Sequence, residues 1–312
     1  MVRNQVPSEG DKLLDHIAHW VPDLHAASEP LESLGFVLTP WSEQHASARP
    51  GAPVTPVGSA NRCIMLRSGY LEILAPLAST SIGRELQAGI DRYIGVHLLA
   101  FGSSDTNAEQ ARLEALGFPQ RPVVALRREV ETESGDTVTL RFTVGRAELG
   151  SMAEGRVQFL THHTPEHLWQ TRYLGHPNTA EDLAEVWIVV ADLDEAAARY
   201  SAYLDLPAGR NGPGAATIRM SRGRVSLFTI EAFRERLPAA EVPTLPFIAG
   251  YGLAAADPPR ARELADQAPG VVVNDALPRA SGADPDGFAA VLPGSAGGTL
   301  LFSRSGVLGP TN

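Results

Sequence analysis

A chain of 312 residues, 44% hydrophobic and 20% charged, has the make-up of a folded globular protein with length enough for two domains, which excludes a disordered tail or a fibre. Its net charge of -10, with Lys and Arg scattered, leaves no basic stripe to follow a phosphate backbone, so nucleic acid is not an expected partner. A single cysteine, Cys63, can neither close an internal disulfide nor build a thiolate cluster; this fits the cytoplasm and turns any metal towards His and carboxylate ligands.

The N-terminal stretch MVRNQVPSEGDK is polar, and no later run reaches the roughly 20 apolar residues that cross a bilayer, so no membrane association is expected. The first predicted strand is LLDHIAHWVPDL at 13–24, and Asp23 then caps a helix to Gly35. A Pro- and Gly-rich segment follows, and residues 49–60 read as a mobile flap. The sequence GYLEIL from Gly69 is the next apolar strand after a glycine turn. The same pieces then recur: strand GVHLLAFGS, a helix from Asp105 to Gly117, and strand GRVQFL from Gly155. They recur again as LAEVWIVVADL at 183–193, a helix from Asp192 to Leu206 and GRVSLF from Gly223, and a fourth time as GYGLAAADPPRARELADQA from 250 with GGTLLF from Gly297. Each unit reads strand, helix, then about three strands closing at a glycine turn. Four units pair into two domains, 11–172 and 180–305, joined by the polar connector GHPNTAED.

Polar residues inside otherwise apolar strands mark the candidate site, because alternate side chains of a strand share a face. His16 lies in the first strand of unit one and Glu72 in its last; His97 and Gln158 hold the same places in unit two. The two-fold relation between the units is expected to bring these four together around one divalent ion, Zn, Fe, Mn, Ni or Co. Two His and one carboxylate make an open facial site, with Gln158 as a weak fourth ligand or a hydrogen-bond donor.

The segments LDHIAHWVPDL, GSANRCIM, GYLEIL and GVHLLAF resemble the vicinal-oxygen-chelate superfamily, specifically its glyoxalase-like domain proteins, over about 11–170 and more weakly beyond. The resemblance implies an α+β fold in which four βαβββ modules pair into two cupped mixed sheets. It also implies a metal that chelates vicinal oxygens of a small-molecule substrate and acts as a Lewis acid, with His16, Glu72 and His97 at ligand positions. Gln158 stands where a second acidic ligand often sits, which departs from isomerase chemistry of the glyoxalase I kind. In the second half Glu185, Ser226, Gly250 or Tyr251 and Leu300 take the equivalent places, so that half reads as a metal-free copy serving packing or dimerisation. The functions expected are a metal-dependent lyase or isomerase, an Fe(II) ring-cleaving dioxygenase, or a resistance-type protein that binds a small molecule without turnover.

Around this set, THHTPEHLW at 161–169 places His162 and His163 on opposite faces, and His163 is the candidate proton shuttle. Arg62 is a candidate clamp for a substrate carboxylate or phosphate, with a structural ion pair as its other reading. Trp20 and Tyr70 are expected to line the cup and Cys63 to be a buried apolar residue. Exposed sheet edges leave room for a homodimer.

Overall fold

The computed structural model describes residues 5–47, 54–274 and 284–308. β1 (Leu13–Trp20), α1 (Leu24–Ser33), β2 (Ser42–Ser47), β3 (Val54–Met65) and β4 (Tyr70–Pro76) form the first unit. After α2 (Ser81–Arg92), the second comprises β5 (Gly95–Gly102), α3 (Thr106–Ala115), β6 (Val124–Glu131), β7 (Thr137–Arg146) and β8 (Arg156–His162). A short helix α4 (Pro165–Leu168) and a 3-10 turn at Thr171–Tyr173 lead into the third: β9 (Ala180–Val189), α5 (Leu193–Leu204), β10 (Ala208–Arg210), β11 (Ala215–Arg219) and β12 (Arg224–Phe228). The fourth follows α6 (Ile230–Arg236) and holds β13 (Phe247–Ala255), α7 (Pro258–Ala265), β14 (Val272–Asn274), β15 (Phe288–Val291) and β16 (Thr299–Ser303).

The described residues thus form an α+β fold of four βαβββ units and two eight-stranded mixed sheets, ordered β2-β3-β4-β1-β5-β8-β7-β6 and β10-β11-β12-β9-β13-β16-β15-β14. The first strands of two units run antiparallel at the centre of each sheet, and each lies parallel to the last strand of its own unit. The edge strands β2 and β6 approach each other, so the first sheet curls towards a closed cup. Among the described residues no helix is long and apolar enough to cross a membrane.

Each unit's helix starts where an aspartate side chain takes up free backbone N–H groups: Asp23 from His25 and Ala26, Asp105 from Asn107 and Ala108, Asp192 from Asp194 and Glu195, Asp257 from Arg260. The expected flap is corrected in part. Residues 49–53 lie outside the described residues, but 54–60 belong to β3, paired with β2 and β4; the β-branched Thr55 and Val57 outweigh the neighbouring Pro and Gly.

One apolar core runs through both halves. Leu14, Ile17, Leu99 and Phe101 of the first sheet meet Val186, Ile188, Tyr251 and Leu253 of the second, with Leu31, Leu113, Tyr200 and Ala261 supplied by the unit helices. The sheets therefore pack back to back, and their other faces form two cups pointing away from each other. The strand-helix-strands pattern left the segments between units unassigned, and there the structure places α2 and α6. Leu86 and Ile90 of α2 pack on Ala18, Trp20 and Leu74 in the first cup, while Phe233 of α6 packs among Trp187, Phe228 and Leu301 in the second.

Candidate active site

The cup face of the first sheet is set by the strand register. His16 pairs with Tyr70 on one side and Ala100 on the other; Ala100 pairs with Gln158, and Gln158 with Arg146. This gives one row across the cup: Tyr70, His16, Ala100, Gln158, Arg146. The adjacent row carries Cys63, Glu72, Ala18, Leu98 and Arg156. His16, Glu72 and Gln158 therefore share the cup face on neighbouring rows.

Asp15 is the residue that the sequence reading missed. Strict alternation would put it on the face opposite His16, but the register slips between Leu14 and His16, and the bulge turns both side chains the same way. The His16 Nδ1–H donates to Asp15 Oδ1 at 2.7 Å and the His162 Nε2–H donates to Oδ2 at 3.0 Å. Burial alone would push the Asp15 carboxyl up, but the adjoining His162 and His16 outweigh it and hold the group well below the usual carboxylate range. With Nδ1–H committed to the carboxylate, His16 keeps Nε2 as its free basic nitrogen. Its ring stacks on Tyr70 with centroids 4.2 Å apart. Trp169, carried in by α4, sits edge-on to both Tyr70 and His162 and closes a small cluster with Cys63 and Met65.

Glu72 has its Oε1 taken by two amides, Nδ2 of Asn61 at 2.6 Å and Nε2 of Gln44 at 3.2 Å. The Cys63 thiol beside it is pushed up to about 12 by burial and by the Glu72 charge, which keeps it protonated near neutral pH. Gln158 Oε1 accepts from Arg146 Nε at 3.3 Å.

His97 does not join this group. A second bulge, between Ala18 and His19, leaves it unpaired in β5 beneath α2. Its ring lies between Tyr93, 3.8 Å away, and Trp20, 5.1 Å away, and Nε2–H donates to the Tyr93 carbonyl at 2.8 Å. Burial, opposed by that bond, brings its pKa down to about 4. Gly155 allows the chain to pass here, since a Cβ would stand 2.2 Å from the His97 carbonyl oxygen. Among the described residues no three His, Cys, Asp or Glu side chains are grouped to hold a metal ion. Of the expected set, His16, Glu72 and Gln158 thus share the cup face on neighbouring rows while His97 is spent on Tyr93 and α2, so the two-His, one-carboxylate set is not assembled and the residues as arranged do not fit it.

Gly89 makes that burial possible. A Cβ on it would lie 2.3 Å from Trp20 Cε3 and 2.6 Å from Cζ3. In an ordinary helix Gly→Ala stabilises by up to about 1 kcal/mol. Here Gly89→Ala is expected to cost about 1–3 kcal/mol in urea unfolding, because the Trp20 ring on His97 has nowhere to move; a stabilised variant would mean that α2 packs more loosely than this.

The remaining candidates sit apart from the cup. Arg62 donates to the Thr39 carbonyl at 3.0 Å and pairs with Glu32 of α1 at 2.8 Å, which is its structural reading. His163 is exposed and shares a 2.6 Å hydrogen bond with Thr143 Oγ1, while His162 is the inward member of the pair.

The second cup preserves the geometry and not the chemistry. Glu185 holds the place of His16 and is bound by Arg224 Nε at 2.8 Å, Ser226 Oγ at 2.5 Å and the Leu308 N–H at 2.5 Å, with no exposed surface. Ser226, paired with Trp187, stands for Glu72. Register also corrects two equivalences: both sheets carry the same bulge, so Ala249 and not Gly250 or Tyr251 answers to His97, and Leu301 and not Leu300 answers to Gln158. The correction arises because Gly298, not Gly297, is the counterpart of Gly155. Leu301 and Ala249 both pack in the apolar cluster around α6.

Two cupped βαβββ pairs packed back to back define a protein of glyoxalase-like architecture. A family model described as a glyoxalase-like domain matches residues 14–204, and the chain belongs to that family and with it to the vicinal-oxygen-chelate superfamily. No curated protein matches the chain. Solved structures share the fold at low identity. A hypothetical protein from Staphylococcus aureus is 10% identical, covering 93% of this chain and 98% of its own, with a TM-score of 0.61. A mutant of 4-hydroxymandelate synthase from Streptomyces coelicolor is 16% identical, covering 94% and 92%, with a TM-score of 0.54. The Mn(II)-bound glyoxalase from Novosphingobium aromaticivorans is 9% identical, covering 96% and 83%, with a TM-score of 0.50.

Proposed function

We propose that the protein is an enzyme acting on a small molecule in the N-terminal cup, of the lyase or isomerase kind, in which His16 accepts a proton from the substrate while Asp15 holds its ring. The observation that carries this reading is the buried carboxylate between His16 and His162. A carboxylate on Nδ1–H fixes the tautomer that presents Nε2 as base and stabilises the imidazolium formed on proton transfer. The His162 ring bonded to the other oxygen keeps Asp15 in place and supplies a second site for the proton. The metal-dependent and dioxygenase readings need a ligand set that His97 does not complete, and the binding-only reading leaves the Asp15 arrangement without a use. The division into 11–172 as the reacting half and 180–305 as its support belongs to the same proposal, as do a cytoplasmic location and a homodimer.

Two measurements test it. Imidazole nitrogen NMR at neutral pH is expected to show His16 protonated on Nδ1 and His162 on Nε2, with both patterns lost in Asp15→Asn. Elemental analysis is expected to find well under one metal ion per chain, unchanged by Glu72→Ala. About one ion per chain, lost in both His16→Ala and Glu72→Ala, would put metal-centred chemistry in place of the His16 base.

A further inference from the structure

We propose that the second half is a positioning element of the site in the first: its turn at residues 220–223 fixes the bulge that brings Asp15 to His16. This rests on the active-site reading above, in which Asp15 holds the base. The turn joins β11 to β12 and closes with the Met220 N–H bonded to the Gly223 carbonyl at 3.1 Å. It also reaches the other sheet, where it lies along the start of β1. Arg222 forms a parallel bridge with Leu13, its carbonyl accepts from the Leu14 N–H at 2.8 Å, and the Ser221 N–H donates to the Lys12 carbonyl at 3.1 Å. The Ser221 hydroxyl adds a 2.7 Å bond to the Asp11 carboxylate. From His16 onwards the same edge of β1 is taken by β4, starting at Tyr70. β1 thus changes neighbour between Leu14 and His16, and the residue between them is Asp15, left out of the pairing with β5.

A buried strand edge needs partners for its backbone groups, and a slip of one residue turns every side chain to the opposite face. The bonds to Ser221 and Arg222 hold residues 12–14 in register on one side of the bulge, as Tyr70 holds His16 on the other. Leu14 is fully buried in the core shared by the halves. Gly223 packs against it so closely that a Cβ would stand 2.5 Å from Leu14 Cβ, and its φ of +79° itself favours glycine. The clasp is reciprocal. In the turn of the first half that ends at Gly69, the Ser68 carbonyl accepts from the Leu183 N–H at 3.0 Å and the Ser68 hydroxyl donates to the Asp182 carboxylate. These bonds lie just before the matching bulge of β9, where the residue left out is Ala184. The second half therefore has the device without an acid, whereas in the first half it aims a carboxylate at a histidine.

The test is imidazole nitrogen NMR of Gly223→Ala, in which the added methyl drives Leu14 away from the turn. The expected result is loss of the Nδ1–H pattern of His16 and of the Nε2–H pattern of His162, as in Asp15→Asn. Phe233→Leu, which loosens the second half away from the turn, should keep both patterns. Amide exchange in the native protein gives a second reading that needs no substitution. The Leu14 N–H should be protected to within about tenfold of Leu99 in the same sheet, because it is released only when the fold opens. A folded Gly223→Ala that keeps both patterns overturns the proposal, and so does a Phe233→Leu that loses them, since any loosening of the second half would then suffice. A Leu14 amide more than about tenfold less protected than Leu99, with His16 still protonated on Nδ1, also overturns it. Native protein without the two patterns would remove the base itself, whereas patterns present in both the native protein and Gly223→Ala count against the clasp alone.

Discussion

Lowering the pH from 7 to 5 is expected to remove about 4 kcal/mol from the stability of the fold, roughly half through His19 and half through His97. Both imidazoles are buried, and burial, opposed by bonds to backbone carbonyls, brings each from 6.5 down to about 4. His19 lies on the back of the first sheet, between the halves; its Nδ1–H donates to the Ala296 carbonyl at 3.0 Å, and Nε2 accepts from the Tyr251 hydroxyl at 3.1 Å. The unfolded chain takes up these protons near pH 6.5, whereas the folded protein takes them up only near pH 4. Stability is therefore whole above 6.5, falls as the pH drops towards 4, and levels off below. His176 adds a loss of the same sign, since burial depresses it too: its Nδ1 accepts from the Val37 N–H and its Nε2–H donates to the Met65 carbonyl. Asp15 acts in a different window. Its pKa is depressed, so its contribution is complete above its ordinary 3.8 and is lost only at more acid pH. Urea unfolding at pH 7 and pH 5 reads the difference, and His19→Gln and His97→Gln should each flatten it by about 2 kcal/mol. A variant that keeps the full pH dependence would show that its histidine is protonated in the folded protein as readily as in the unfolded chain.

The same two histidines show where the sequence was legible and where it was not. The four units could be read because each unit's own helix begins at an aspartate that caps it and because apolar runs alternate with glycine turns. His16 and Glu72 could be assigned to the cup because alternation holds from His16 to Ala18 in β1 and along β4. Alternation fails at a bulge, and nothing in LDHIAHW marks where the two bulges of β1 and its partner lie. The first puts Asp15 beside His16 rather than behind the sheet; the second removes His97 from the row it was expected to complete. The α2 segment carries Leu86 and Ile90 at helical spacing, but only the tertiary fold reveals that it enters the cup and spends His97 on packing. Which side of β6 and β7 faces the cup stayed hidden for another reason: polar and apolar residues alternate there as in any half-exposed ribbon, and a charge on the inner side looks the same as one on the outer.

Arg199→Ala is expected to cost about 3–5 kcal/mol, the range for stranding one member of a buried ion pair. Glu154 stands just before Gly155 and β8 in the first half and has no exposed surface, while Arg199 is on α5 of the second half with a side chain 17% exposed. The guanidinium grips the carboxylate with both terminal nitrogens, Nη1 to Oε2 at 2.9 Å and Nη2 to Oε1 at 2.7 Å, and Nε reaches Glu195 at 2.6 Å. The loss is asymmetric. Without Arg199 the Glu154 carboxylate is left buried and unpaired, whereas in Glu154→Ala the arginine still has Glu195 and water, so that variant should lose less. The double variant Glu154→Ala/Arg199→Ala should likewise be more stable than Arg199→Ala alone, because removing the stranded charge restores part of the loss. The effect should also reach the cup: Glu154 fixes the start of the strand that carries Arg156 and Gln158, and Gly155 beside it lies against the His97 carbonyl. Trp20 fluorescence should therefore change in folded Arg199→Ala. Equal losses in the two single variants, with no recovery in the double one, would show instead that Glu154 finds water once its partner is gone and that the contact between the halves rests on their shared apolar core.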